Sequence, residues 1–163
     1  MTLTTAGLTN GGNTTHYHFQ YDDSLATSPT NPTGPEPART NAVIAACEGD
    51  LSLMSGWFGG TTVTGMNVHV TPLGGGADWN GSGSSSTIEI KAEGQTFSSS
   101  PDFIRYLLVA EVTEIMMLVK GNGWFQNGDE GSKGEGFPHH LFCIFRPSGP
   151  TLICNPSGCF LAW

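Results

Sequence analysis

The sequence predicts a small α+β domain, two main helices on a small sheet with long glycine-rich loops. Three observations carry that reading. Apolar residues recur at helical spacing over residues 38–58 and again over 102–120. TTHYHFQY, MNVHVTPL and STIEIKAE alternate in the strand period. The segments between them are rich in Gly, Ser, Thr, Asn and Pro, and the 163 residues suffice for one domain with a real core.

In TTHYHFQY (14–21), Tyr17, Phe19 and Tyr21 fall on one face and His16, His18 and Gln20 on the other. Residues 22–36 read as a loop. Pro37-Ala38-Arg39 opens a helix that runs to Trp57 or Phe58 and closes at Gly59-Gly60, with Val43, Ala46, Cys47, Leu51, Met54 and Phe58 as its apolar stripe. MNVHVTPL (66–73) is a short strand with Met66, Val68 and Val70 opposite Asn67 and His69. GGGADWNGSGSSS (74–86) reads as a long loop, flexible or shaped to a ligand. STIEIKAE (86–93) is a further strand, Ile88 and Ile90 alternating with Glu89 and Lys91. Ser100 is placed as an N-cap with Pro101 at the first helical position; that helix runs to Lys120 and stops at Gly121.

Past Glu135 the character changes. The last 28 residues hold no Asp or Glu but three of the four Cys, so 137–163 is set apart as an apolar Cys/Pro-rich segment. It is read as a pair of short strands packed on the core, or as irregular.

Charge narrows the function classes. Six Lys and Arg against 14 acids give a formal net charge of −8 and leave no basic stripe for phosphates. Nucleic acid and anionic membrane surfaces are therefore not expected partners. No apolar run is long enough to span a bilayer, and MTLTTAGLTN lacks the basic and apolar regions of a signal peptide. The Gly/Ser/Thr-rich, Lys-poor composition points to a secreted or cell-surface setting. Cys47, Cys143, Cys154 and Cys159 form no C-x-x-C zinc frame. Cys154 and Cys159 are spaced to close a small loop in an oxidising compartment, with Cys47 and Cys143 as a second pair. The preferred reading of Cys47 is a small buried hydrophobe.

VAEVTEIMM (109–117) carries the chemistry. On a helical wheel Asp102, Arg105, Thr113 and Lys120 share a sector, read as the solvent stripe. Glu111 and Glu114 fall opposite, among Ile104, Leu107, Leu108, Ile115 and Leu118. Two acids aimed at an interior need a compensating partner, because an unpaired buried carboxylate is costly. Downstream, NGDEGSKGEGF (127–137) adds Asp129, Glu130, Lys133 and Glu135 among turn-forming glycines. Asp129 and Glu130 suit a solvated loop, whereas Glu135 stands directly before the next apolar run.

A helix with V-A-E-V-T-E-I-M-M, then G-W-F, then E-G-S-K-G-E-G resembles the active-site helix and downstream glutamate of gluzincin-type zincin metallopeptidases. In that family the helix carries H-E-x-x-H and a later Glu is the third zinc ligand. The resemblance spans residues 38 to 136 and implies a single zincin-like domain over 1–136. It places Ala110 and Glu114 where the ligand histidines belong, Glu111 at the general base and Glu135 at the third ligand. The pattern is also similar to bacterial proteins that keep A-E-V-T-E. The departure is chemical: Ala110 has no ligand atom, and Glu114 is a hard oxygen donor where imidazole belongs. Zinc prefers nitrogen and sulfur, so no zinc is expected. Glu111, Glu114 and Glu135 better suit a weakly held, calcium-like divalent cation or a shared proton.

His16 and His18 share the spacing of a transition-metal clamp, but edge-strand histidines are the commoner meaning. His139-His140 point to opposite faces if they lie on a strand. No G-x-S-x-G elbow occurs. Trp79 and Trp124 stand near glycines and offer flat faces to a sugar or a peptide. The expected function is binding or scaffolding by a degenerate zincin-like domain without zinc peptidase activity. The alternative is a hydrolase acting on a peptide or sugar, with Glu111, Glu114 and Glu135 as acid and base.

Overall fold

The computed structural model describes residues 7–25, 38–72, 75–81, 85–92, 101–121, 153–155 and 158–160. Two helices, α1 (Ala38–Trp57) and α2 (Pro101–Lys120), cover one face of a mixed sheet. Its strands are β1 (Leu8–Asn13), β2 (Tyr17–Asp22), β3 (Met66–Thr71), β4 (Gly75–Asn80) and β5 (Thr87–Ala92), in the order β1-β2-β3-β5-β4. The three inner strands are parallel and both edge strands antiparallel. This is the α+β architecture the sequence predicts.

Strand alternation sets the layers. Tyr17, Phe19, Tyr21, Met66, Val68, Val70, Ile88 and Ile90 are all buried on the helix-covered face. His18, Gln20, Asn67, His69, Glu89 and Lys91 take the other face and are only half-buried. A parallel pair is usually apolar on both sides; here the outer side is polar throughout the inner strands. The core continues through Val43, Cys47, Leu51, Met54 and Phe58, as the helical spacing predicts. Each such aliphatic side chain contributes about 1.5–3 kcal/mol by leaving water.

Both helix ends follow from glycine. Gly59 and Gly60 have φ of 65° and 84°. Gly60 N–H reaches Ser55 O at 2.8 Å and Gly59 N–H reaches Gly56 O at 3.3 Å, the paired bonds of a Schellman stop. Gly121, at φ 67°, ends α2 with its N–H on Met117 O at 3.1 Å. Lys120 Nζ then crosses to donate to Phe58 O at 3.1 Å, tying one helix end to the other. Ser100 lies outside the described residues.

Two strands escape the sequence reading. β1 is made of LTNGGN, which has almost no β-forming side chains. Its pairing with β2 supplies the order, and a bulge falls between Asn10 and Gly12. A Cβ on Gly11 would stand 3.0 Å from Thr40 Cγ2, so glycine lets α1 approach this strand. β4 corrects the expected 74–86 loop. Ala77 and Trp79 pack toward the core while Asp78 and Asn80 are exposed, an alternation that the surrounding glycines hide. A smaller two-stranded sheet pairs β6 (Ile153–Asn155) with β7 (Gly158–Phe160), Cys154 standing opposite Cys159 in register. Cys47 is a free, buried thiol, in line with its reading as a small buried hydrophobe, and Cys143 lies outside the described residues. Burial, with Glu48 close by, pushes that thiol up to about 11.

The seam between the helices is partly polar. Arg105 grips Asp50 in a two-pronged fork, Nε to Oδ2 at 2.7 Å and NH2 to Oδ1 at 2.6 Å. That bond, more than any other influence, raises the Arg105 guanidinium further above its ordinary value. Thr113 is fully buried, its hydroxyl bonded to Val109 O at 2.6 Å and beside Met54 Sδ at 3.3 Å. The predicted solvent stripe of α2 is therefore corrected: its middle faces α1, and only its ends are exposed. Asp50→Ala should destabilise the protein by about 2–3 kcal/mol in urea unfolding, because it strands a desolvated guanidinium. The double change Asp50→Leu with Arg105→Met should recover most of that loss.

Candidate functional site

α2 rests on β5 and on the terminal strand β4. One flank of the helix therefore overlooks the sheet edge. Ala110, Glu111 and Glu114 line that flank and are half-buried. This corrects the wheel, which aims both acids at the interior. A wheel orders residues around one axis but knows nothing of the width of the layer beneath. Among the described residues the sheet ends at β4, so the sector beyond the apolar face meets an edge instead of a core.

Glu114 is held there by a specific bond. Its Oε2 accepts from the indole N–H of Trp79 at 3.1 Å. Trp79 packs its ring against the core from β4 and turns its one polar atom toward the helix. On the outer face of the sheet, Lys91 of β5 forms an ion pair with Asp78 of β4. Asp78 is the main reason the Lys91 ammonium is held above its ordinary value, and Glu89 and Glu111 add to it. Glu111 is thus within electrostatic reach of Lys91.

Of the predicted site residues, the fold gathers Glu111, Glu114 and Trp79 on one edge. Glu135 and Trp124 lie outside the described residues, as do Asp129, Glu130, Lys133, His139 and His140. The described residues do not by themselves make a zinc site. Ala110 offers no donor, and one Glu114 oxygen is engaged by an indole. Among the described residues no three His, Cys, Asp or Glu side chains converge as a cation requires. A carboxylate near an ammonium at a strand edge can instead hold polar or cationic ligand groups.

The His16/His18 clamp is split by the structure. His16 precedes β2, and Glu48 of α1 takes its backbone N–H at 2.9 Å and its Nδ1 at 2.6 Å. His18 instead meets Asn13 across the β1–β2 pair. The sequence singles out His16 but not Glu48, whose position one turn before Ser52 carries no motif. His69, on the outer sheet face, is shifted down by burial, while Glu89 pulls the other way. Its neutral form is favoured at neutral pH.

Burial would raise the Glu48 carboxyl, but hydrogen bonds from Thr14 and His16 outweigh it and hold the group below its ordinary 4.5. A depressed acid gives stability above its unfolded value and loses it as pH falls through the folded value. The wild-type protein should therefore lose thermal stability more steeply than Glu48→Gln on acidification below pH 4.5. Parallel melting curves from pH 7 to pH 3 check this.

Compared with protein-family models, characterised proteins and solved structures, the chain matches none.

Proposed function

We propose that this chain is a zincin-like domain without zinc peptidase activity, and that it works by binding. Its ligand site is the edge formed by β4 and the overlooking flank of α2. The hydrogen bond from Trp79 to Glu114 carries the reading. It commits the acid at the second ligand position to the edge strand, where a zinc site would need it turned to a metal. The order of a first helix, short strands and a second helix bearing A-E-V-T-E supports the zincin likeness. Among the described strands β4 ends the sheet, and a terminal strand is a template for an extended peptide, whose main chain adds to the ladder. Glu111 and Glu114 favour a peptide with basic side chains on a chain of net charge −8. A secreted or cell-surface setting, on the Lys-poor composition, remains part of the proposal. No helix among the described residues is long and apolar enough to cross a membrane.

The second reading is a hydrolase that uses Glu111 and Glu114 as acid and base, with Glu135 as a further acid. One observation favours it: Glu111 is half-buried, not sealed in the core.

Metal analysis of the purified protein, with melting curves in EDTA, calcium and zinc, separates these ideas. The binding reading expects no stoichiometric transition metal and no shift with EDTA; one equivalent of tightly held zinc would overturn it. Trp79→Phe should cost about 1–2 kcal/mol, since it removes the donor from a half-buried carboxylate. It should also weaken capture of a basic, extended peptide in calorimetry. Glu111→Gln should leave stability unchanged or raise it if that acid is poised for chemistry; a loss above ~2 kcal/mol would mark a structural, hydrogen-bonded glutamate.

A further inference from the structure

Three of the four cysteines fall among the described residues, and backbone pairing separates them. Cys47 is a free thiol buried in the core. Cys154 and Cys159 stand directly opposite each other on β6 and β7, one pair out from Asn155 and Gly158. Residues opposite on antiparallel strands share a sheet face, with Cα atoms ~4.5 or ~5.5 Å apart according to the type of pair. Both separations lie within the ~4.4–6.8 Å that a disulfide spans. In an open chain the same spacing brings two thiols together only part of the time. The ladder register holds their backbones at bonding distance.

The same topology makes such a bond easy to undo. Among the described residues β6 and β7 form a sheet separate from the five-stranded one. A two-stranded hairpin by itself is marginal in water. A cross-link that closes only the stretch from Cys154 to Cys159 removes little freedom from the open chain, so it adds little stability. Hairpin and bond therefore depend on each other. The ladder brings the thiols together, the bond keeps the ladder closed, and each favours the other by the same factor.

We propose that Cys154 and Cys159 are a reversible dithiol–disulfide pair, oxidised by small disulfides of the glutathione class and closing the β6–β7 hairpin when oxidised. The exchange runs in two steps. One thiolate of the pair attacks a sulfur of glutathione disulfide, breaks its S–S bond and releases one glutathione thiolate. The other thiolate then attacks the protein sulfur of that mixed disulfide and expels the second glutathione thiolate. Two protein thiols have lost two electrons and two protons, and one glutathione disulfide has become two thiols. Excess thiol drives the same steps in reverse and opens the hairpin. Cys47 is no competitor, since burial hides its sulfur and disfavours its thiolate.

Equilibration of the full chain in glutathione buffers of graded ratio, with acid quench, alkylation and peptide mass mapping, tests this. Glutathione disulfide should produce one internal bond, between Cys154 and Cys159, and leave Cys47 a thiol. Half-reduction should fall at an effective thiol concentration on the order of 10 mM, as for a short flexible loop. Cys159→Ser should stop at the mixed disulfide on Cys154. Gly158→Pro breaks the adjoining strand pair and should lower the effective concentration at least ~5-fold. Amide hydrogen exchange over 153–160 should slow at least ~5-fold on oxidation of the wild type, and not in Cys159→Ser. Both variants lie outside the five-stranded sheet, so each should melt, when reduced, within ~2 °C of wild type. A bond from Cys143 to either residue, or no internal bond, would overturn the proposal. So would a bond that reduced glutathione leaves intact at every ratio, or a Gly158→Pro chain that oxidises as readily as wild type.

Discussion

Asp50 and Arg105 meet in a desolvated fork between the two helices, and the placement of the rest follows from that seam. Each helix has only one apolar sheet face to cover, so they must lie side by side upon it. The fork fixes their relative position near one end, Thr113 against Met54 in the middle, and Lys120 on the Phe58 carbonyl at the other. With the pair locked, α1 falls over the β1–β2 side and α2 over β5 and β4. The seam also explains why α2 is so nearly buried all round. It has a sheet beneath it and a partner helix beside it, so a residue as polar as Thr113 must find its acceptor within the helix.

The helices and inner strands were legible because local chemistry and global burial agree there. Gly59, Gly60 and Gly121 stop helices by their own backbone conformation, and Tyr17 to Tyr21 or Ile88 to Ile90 alternate on one buried face. β1 and β4 were not legible. LTNGGN and GGADWN become strands because a neighbour supplies the hydrogen bonds, and glycines erase the alternation that would announce it. Thr113 and the two glutamates misled for one shared reason. A helical wheel assigns sectors, but whether a sector meets a helix, a sheet or a sheet edge is decided by elements distant in sequence. Asp50, deep in a helical stripe, gave no sign of the Arg105 that compensates it 55 positions later.

The edge of the sheet is also where the two carboxylates become understandable. Had β4 been followed by another strand, Glu111 and Glu114 would be buried and would need full compensation. At the margin they keep partial access to water, and one indole N–H fixes the orientation of Glu114. Under the proposed binding role, stability and binding draw on the same bond: the indole that steadies the acid also holds it to β4. A ligand that competes for Glu114 must replace that bond with one as good, which favours cationic groups over neutral ones.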